Sequence, residues 1–500
     1  RFGATSATDA YLVAGTIPML FFATVNAALT TVFIPVFTGL AQREGRERAF
    51  RAADTVFTAV FLVGIGVAGL GCLLAPQLTA LVAPGFRGGT LAEAVRLTRL
   101  MFPLVVFQGL TGVATGMLQA LERFTAPALV GVAFNVVIIY SILVWGPRFG
   151  ITAVAVGTVA AVAAQVLIQL PSLRRAGYRY RPRLDLADPA FQRMGVLLLP
   201  VLLGTAAGQL NALVDRILAS GLPEGSISAL NYGYRLMTLP GSVFGAAVVT
   251  VVYPAMARFL AARDAEGFRE AYGTAVRMVG FILIPMAAGL IVLSRPAVRL
   301  AFERGAFDAA ATQATAVAVA FYSLGILGLA LSDLTARAFY SAQDTLTPMR
   351  VGLAAVAVNI VLNLILVRYL AHGGLALATA VAATLSAGLQ VWFLRRRFGP
   401  LGGRRLASSL ARSAGAAAAM AGAVWALYAL LEKAWPGDGL LAQSGRLGTA
   451  VLAGAASYAG AAWLLRLEEL RLALELARAA LRRLGGRRDA EADAVRPEAG

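Results

Sequence analysis

The sequence has almost none of the residues that build metal centres and covalent catalytic sites. Among 500 residues there is one histidine and one cysteine, Cys72, which excludes a disulfide framework and a thiolate metal site. The only lysine, Lys433, follows a glutamate and lacks the glycine run of a phosphate-binding loop. The sequence therefore contains no P-loop ATPase domain. No HExxH, CxxC or GxSxG pattern occurs. These absences favour a function that is not enzymatic.

Charge is also scarce, and most of it has one sign. Charged residues make up 14% of the chain and hydrophobic residues 59%, whereas a soluble domain has about 25% charged residues. The net charge of +18 comes almost wholly from arginine. Arginine suits anionic lipid surfaces and phosphate-bearing substrates, although a GC-rich genome would give the same composition. The partner predicted from this composition is a phospholipid bilayer, and no nucleic acid is expected.

Long apolar runs are what the chain has in abundance. Thirteen segments long enough to cross a bilayer precede the polar tail that starts near Arg466, since about 20 apolar residues suffice for one crossing. A backbone in lipid must satisfy its own hydrogen bonds, so these segments are predicted to be helices. The predicted fold class is therefore an all-α polytopic membrane protein with 13 spans, whose function lies in a cavity between helices.

Arginine-rich connections alternate with plainer ones along the chain. The rich ones lie at residues 42–51, 174–183, 261–269 and 395–405, and the positive-inside rule assigns them to the cytoplasm. Residues 295–308, on the outer side, are an exception with three arginines. The C-terminal tail is then cytoplasmic. Its residues 467–484 are predicted to form an amphipathic surface helix, and residues 485–500 to be disordered.

The chain contains an internal repeat. Residues 132–137 (VAFNVV) recur as residues 356–361 (VAVNIV), and each copy is followed by a glycine turn and a helix that ends in arginines. An even number of predicted spans separates the copies, so the two halves are predicted to be parallel repeats. Transporters often bind substrate at the interface of such repeats, near the bilayer midplane.

Arg235 is a charge that cannot be assigned to a loop. It lies in residues 231–237 (NYGYRLM), where Asn231 and Tyr234 make its surroundings polar. A charge at the centre of a membrane helix costs about 2.5–3.5 kcal/mol on insertion scales, so it needs a partner or a cavity. One interpretation is an arginine that binds phosphate bidentately; the other is an outer-leaflet arginine that extends its side chain to the interface.

A second group of polar residues surrounds Asp215, which also interrupts an apolar helix. In one interpretation, Asp215 and Arg216 take part in a local ion pair between their helix and a neighbouring one. In the other, Asp215 joins Asn359 and Asn363, four residues apart on one helix face, and Thr379 on the next helix. One carboxylate with three neutral oxygen ligands suits a hard monovalent cation. Asparagines also hold membrane helices together without any ligand, so both interpretations stay open.

Three further intramembrane charges have simpler interpretations. Asp333 and Arg337, four residues apart, are predicted to form a pair within one helix. Arg277, early in the span that follows a cytoplasmic loop, is predicted to be an interfacial anchor.

At several of these motifs the sequence resembles the MurJ (MviN) family of lipid II flippases, which serve bacterial peptidoglycan synthesis. The matching segments follow in family order from residue 1 to about residue 466: residues 8–14 (TDAYLVA), 33–37 (FIPVF), 225–237 (GSISALNYGYRLM), 302–307 (FERGAF) and 338–348 (AFYSAQDTLTP). The resemblance implies a protein of the cytoplasmic membrane that acts in cell-wall biogenesis and cell shape.

The resemblance also implies an architecture, that of the MOP exporter superfamily, to which the MATE transporters belong. It has two six-helix lobes around a central cavity and two extra C-terminal helices, so the first of fourteen helices is expected to be missing from this chain. The implied domains are an N-lobe at 1–173, a basic cytoplasmic linker at 174–189, a C-lobe at 190–398, the extra helix pair at 399–466 and the cytoplasmic tail at 467–500.

The resemblance further implies roles for individual residues. Arg235 matches a cavity arginine proposed to hold the substrate pyrophosphate, with Tyr234 and Asn231 beside it, and Asp9 matches an acidic position after the first helix. The positions associated with a sodium site in some members are Asp215, Asn359, Asn363 and Thr379. A second acid can occur where this chain has Asn363, so sodium would bind more weakly here or not at all, and a proton is the other candidate coupling ion. Residues 18–22 (PMLFF) also lack the arginine pair of many members.

The resemblance therefore implies a flippase that moves lipid II, undecaprenyl-pyrophosphoryl-disaccharide-pentapeptide, from the inner to the outer leaflet by alternating access. A different MOP exporter, for oligosaccharide lipids or for cation-coupled drug antiport, is the first alternative. The second is a membrane scaffold that recruits cell-wall synthesis and division proteins through its basic loops and tail.

Overall fold

A computed structural model describes residues 2–242 and 246–475, with side chains for all of these except 21–31, 199–208, 210, 246–247 and 249–251. Every regular element in this part of the chain is helical, which confirms the all-α prediction. The predictions for residues 476–484 of the amphipathic helix and for the tail at 485–500 lie outside the described residues.

The helices form two compact units, one made of the chain up to Ala229 with Arg304–Ala311, and the other of Leu230–Glu303 with the chain from Thr312 onward. The first nine helices are α1 (Ser6–Arg43), α2 (Arg46–Leu73), α3 (Ala75–Val82), α4 (Gly88–Met101), α5 (Leu104–Ala120), α6 (Thr125–Tyr140), α7 (Gly146–Phe149), α8 (Ile151–Arg175) and α9 (Pro189–Ala219), with a π-helical turn at Ser141–Trp145. The remaining nine are α10 (Ser226–Pro240), α11 (Ala246–Ala261), α12 (Ala265–Val292), α13 (Ser294–Phe302), α14 (Ala309–Ser323), α15 (Ile326–Ser341), α16 (Leu346–Phe398), α17 (Gly403–Ala434) and α18 (Leu440–Leu464). The predicted lobe limits stay a prediction.

Helices long enough to cross a bilayer occur along the whole of the described chain. Within it, eight helical stretches are long and apolar enough to cross a bilayer, and a ninth is α14 with α15, bent by 43°. Helix α16 has 53 residues and contains the non-helical Ala371 (φ 47°, ψ −131°), so it consists of two helical segments. The predicted number of thirteen spans is not confirmed by this count.

Apolar side chains and glycines hold each unit together. In the first unit Phe33, Phe37 and Met117 belong to one buried cluster, and Leu97 and Met101 to another. In the second unit a cluster that includes Phe281, Met420 and Tyr458 joins α12 to α17 and α18.

Glycine allows two helices to approach closely: a Cβ atom on Gly325, at the bend between α14 and α15, would lie 2.6 Å from the Ala380 Cα atom. Such small-residue packing is how helices associate in lipid.

Hydrogen bonds hold the basic segment after α8 against α2. The Tyr178 hydroxyl donates to Asp54 Oδ1 at 2.7 Å, and the Arg181 amide donates to the same oxygen at 3.2 Å. Arg48 then donates two hydrogen bonds to Asp188, at 2.7 and 2.8 Å. Asp188 also accepts from the Ala190 amide and so caps α9. The hydrogen bonds from Arg48 hold the pKa of the Asp188 carboxyl below its usual value.

Replacing Arg48 with methionine is expected to destabilise the protein in a pH-dependent way. Arg48→Met leaves the buried Asp188 carboxylate without its cation, which costs on the order of 2 kcal/mol. Because the pKa of Asp188 is depressed in the folded protein, the contribution is present above the ordinary pKa of about 3.9 and lost as the pH falls below it. We expect the melting temperature of the variant in detergent to lie below wild type at pH 7, with the gap closing below about pH 4.

The exposed Arg46, at the start of the same helix, offers the control. Arg46→Met should change the melting temperature little. A gap for Arg48→Met that stayed constant from pH 7 to pH 3 would contradict the assignment.

Candidate functional site

Arg235 lies well inside α10 and its side chain is exposed. It comes nine residues after the start of the helix at Ser226, which places it about 14 Å along the axis. The opposite face of the helix is buried through Leu230, Gly233 and Met237. Packing therefore turns Arg235 away from the interior of its unit.

A glycine and two aromatic contacts set this orientation. A Cβ atom on Gly233 would lie 2.9 Å from the Ala318 Cβ atom, so the glycine lets α10 lie directly against α14. The Tyr234 ring meets the Tyr322 ring edge-on, with centroids 5.5 Å apart. Two residues before Tyr234, the ring of Tyr232 meets that of Phe302, with centroids 5.0 Å apart. These contacts fix the rotation of α10 about its own axis.

The predicted binding residues of α10 share one side of the helix. Arg235 and Tyr234 are exposed, and Asn231, four residues before Arg235, is half-buried. No salt bridge joins Arg235 to a carboxylate within the described part of the chain. An exposed guanidinium flanked by a phenol and an amide has the donors to bind a phosphate bidentately.

The Asp9 carboxylate is buried and bonded within the protein, whereas a residue that binds substrate would be accessible. It is 4% exposed, and its Oδ2 accepts from the Gly225 amide at 2.7 Å. Its Oδ1 accepts from the Ser228 amide at 2.7 Å and from the Ser228 hydroxyl. A carboxylate at the start of a helix meets unpaired amides and the positive end of the helix dipole. Asp9 therefore holds the first turn of α10, and its predicted contact with substrate stays a prediction.

The loop before α10 is shaped for this contact. Gly225 has φ of 83°, a conformation that side chains disfavour, and a Cβ atom there would lie 2.5 Å from the Ala4 carbonyl oxygen. The Ser6 amide donates to Glu224 at 2.6 Å. Sequence reasoning missed Gly225 and Ser228 as partners of Asp9, because a sequence alone does not show which helix start a distant carboxylate meets.

Three of the four predicted cation ligands lie together in the second unit. Asn363 Nδ2 donates to Asn359 Oδ1 at 2.8 Å, and Asn359 Nδ2 lies 3.5 Å from Thr379 Oγ1. Both asparagines are fully buried. The fourth residue, Asp215, is half-buried in the first unit. No cluster of three acidic, histidine or cysteine side chains suited to a metal occurs among the described residues.

Two other arginines predicted to lie within or at the edge of the membrane form salt bridges. Arg337 Nε lies 3.2 Å from Asp333 Oδ2, as the spacing predicts. Arg277, predicted as an interfacial anchor, lies 3.2 Å from Glu468 and 3.6 Å from Glu469, which follow α18. These two arginines have local acidic partners, which distinguishes them from Arg235.

Comparison with known proteins places the chain in one family. A family model described as lipid II flippase MurJ matches residues 1–442. A probable lipid II flippase MurJ of Vibrio cholerae is 32% identical, over 95% of this chain and 93% of the relative. The lipid II flippase MurJ of Burkholderia cenocepacia is 28% identical, over 79% of this chain and 78% of the relative.

Solved structures show the same fold. A lipid II flippase MurJ in an inward closed conformation matches with a TM-score of 0.77 and 21% identity, over 92% of this chain and 93% of the other. An inward-facing multidrug resistance MATE transporter of the MOP superfamily matches with a TM-score of 0.68 and 16% identity, over 80% of this chain and 93% of the other. The MOP transporter fold predicted for the chain is confirmed.

Proposed function

Because the chain belongs to the MurJ family of lipid II flippases, we propose that it carries lipid II from the inner to the outer leaflet of the bacterial cytoplasmic membrane. In this proposal the protein is a transporter that changes no covalent bond of its substrate. The observation that carries it is the exposed guanidinium of Arg235, about 14 Å into α10 and without a carboxylate partner among the described residues.

The chemistry of the substrate fits this side chain. Lipid II carries a diphosphate between its polyprenyl chain and its sugars, so its transfer through the membrane needs a cation that replaces water around the phosphates. Arg235 donates to the diphosphate, with Tyr234 and Asn231 offering further donors. Alternating access requires that the affinity of Arg235 for the diphosphate differ between the inward and outward states. A ligand shifts the equilibrium between two states only by its differential affinity for them.

The alternatives predict other features. A cation-coupled drug antiporter needs a free acid in its binding site, whereas both oxygens of the buried Asp9 accept hydrogen bonds from the start of α10. A scaffold that recruits cell-wall proteins through its basic loops and cytoplasmic C-terminus would not depend on Arg235. Arg235, which is exposed and has no carboxylate partner among the described residues, supports the flippase over both.

Complementation tests the proposal. The natural gene, placed in cells depleted of their own lipid II flippase, is expected to restore growth and the amount of lipid II in the outer leaflet. Failure of a well-expressed and membrane-inserted protein to do so would point to another MOP substrate. Oligosaccharide-lipid and drug transport would then be measured in the same cells.

We further propose a monovalent cation site at Asn359, Asn363 and Thr379, with sodium as the occupant; a contribution from Asp215 stays a prediction. The burial and mutual contacts of the three neutral side chains support it. Sodium at tenfold its Kd would stabilise the protein by about 1.4 kcal/mol. We expect the melting temperature in detergent to be higher in sodium chloride than in choline chloride, and Asn359→Ala to remove the difference.

Asn135 is the matched control, because it occupies the equivalent place in the first repeat but is exposed. Asn135→Ala should keep the sodium effect, and Asn363→Asp should increase it by adding a carboxylate. A wild-type melting temperature that is the same in both salts would remove sodium from the mechanism and leave a proton as the coupling ion.

A further inference from the structure

The first unit contains a cavity that the proposed function does not use. Its volume is about 830 Å³, within the range of about 300–1,000 Å³ that small-molecule sites occupy. Its walls come from α2, α5, α8 and the non-helical segment that follows α8. Arg174 and Arg179, in the basic stretch that the positive-inside rule assigns to the cytoplasm, contribute to its lining.

The lining changes from polar to apolar along the axes of the helices that form it. Arg174 lies in the last turn of α8, and Val166, eight residues earlier, lies about 12 Å further into the helix. Leu110 lies ten residues, or about 15 Å, before the end of α5. Phe61, one turn after Phe57 on α2, completes the apolar part. The cavity thus has a cationic end at the cytoplasmic boundary and an apolar end at membrane depth.

The wall that faces the cytoplasm is held in place. The Tyr178 ring stacks on Phe57 with centroids 5.8 Å apart, and its hydroxyl donates to the buried Asp54. The Tyr180 hydroxyl lies 2.9 Å from Thr58 Oγ1. Burial, together with the hydrogen bond to Asp54, raises the pKa of Tyr178, so this phenol keeps its proton as a donor. The cavity is therefore preformed and needs little ordering to bind a ligand.

The two arginines at the cationic end are available. Both are exposed, and neither forms a salt bridge in the part of the chain that the structure describes. Two guanidinium groups above an apolar cavity match a molecule with an anionic head and a hydrocarbon tail. Such molecules are abundant in the cytoplasmic leaflet, whose anionic lipids attract basic segments at the membrane surface.

We propose that this cavity binds one anionic phospholipid of the cytoplasmic leaflet. Its phosphate lies between Arg174 and Arg179, and one acyl chain enters the apolar part between α2, α5 and α8. The site is separate from Arg235 and does not depend on the transport of lipid II. Bound lipid would add contacts between the segment after α8 and the membrane helices, so it would stabilise the first unit.

Lipid retention in native mass spectrometry tests the proposal. The full chain, purified and delipidated in detergent, is mixed with equal amounts of phosphatidylglycerol and phosphatidylcholine that carry the same acyl chains. We expect wild type to retain phosphatidylglycerol preferentially. Each arginine near the surface contributes about fivefold, so the double variant Arg174→Gln/Arg179→Gln should bind it on the order of 25-fold less tightly.

Two further variants separate the site from general effects. Arg43→Gln/Arg46→Gln removes two exposed arginines from another predicted cytoplasmic loop and should retain phosphatidylglycerol as wild type does. Val166→Trp fills the apolar end without changing charge and should lower retention, with the melting temperature reporting that the protein is folded.

Three results would overturn the proposal. The first is equal retention of the two lipids by wild type, and the second is an equal loss in the two double-arginine variants. The third is displacement of phosphatidylglycerol by inorganic phosphate or by equimolar lipid II, which would assign the cavity to a free anion or to the transported substrate.

Discussion

Arg235→Ala is expected to abolish lipid II flipping while the protein remains folded and inserted. The side chain is exposed and makes no salt bridge within the described residues, so its removal leaves no cavity and no unpaired buried charge. A hydrogen bond to a charged group contributes about 1.5–3 kcal/mol, so loss of a bidentate contact should weaken the hold on the diphosphate at least on the order of 100-fold. Outer-leaflet lipid II, growth and membrane level of the variant are the measurements.

Two matched substitutions sharpen this experiment. Arg235→Lys keeps the charge but loses the planar fork, so we expect partial flipping. Arg337→Ala removes another arginine from a helix of the same unit, but one that is paired with Asp333 at 3.2 Å, and it should flip nearly as well as wild type. Normal outer-leaflet lipid II in Arg235→Ala cells would exclude Arg235 from the mechanism.

Asp9→Ala is expected to lower both stability and flipping. The substitution leaves the Gly225 and Ser228 amides buried without an acceptor, and each unsatisfied group costs about 1–3 kcal/mol. We expect a loss of about 4 kcal/mol in total, measured as a lower melting temperature and a lower membrane level. Flipping should fall with it, because the first turn of α10, the helix that carries Arg235, loses its anchor.

Milder changes at the same contact distinguish support of the helix from contact with substrate. Ser228→Ala removes only the hydroxyl donor and keeps the backbone amide, so it should cost about 1 kcal/mol and allow flipping. Asp9→Asn should be intermediate, since an amide oxygen can still accept from one of the two amides. An Asp9→Ala protein with an unchanged melting temperature but no flipping would instead assign Asp9 to substrate binding.

Much of the fold and part of the site were predictable from local patterns. Apolar runs of bilayer length require helices whatever their neighbours, because the lipid offers no other hydrogen-bond partners. The same reasoning singled out Arg235, since a charge inside such a run is costly wherever the helix packs. The pairing of Asp333 with Arg337 followed from a spacing of four residues on one helix.

The number of spans was harder to derive from local patterns. Hydropathy reports the length and composition of an apolar stretch. It does not show where the backbone bends within that stretch, as it does between α14 and α15, or where it leaves the helical conformation, as it does at Ala371. Small residues, Gly325 among them, allow the bend through their contact with α16, and their meaning depends on what lies opposite.

The sequence by itself determined that this chain is a helical membrane protein with an arginine inside an apolar stretch, because hydrophobicity and charge act on each segment independently of the others. The tertiary structure alone decided that Asp9 anchors the start of α10 through Gly225 and Ser228, and that Asp54 fastens Tyr178 over a cavity. These contacts join residues more than a hundred positions apart, and a carboxylate can accept from any donor that the packing brings to it. Only the folded chain selects which donors those are.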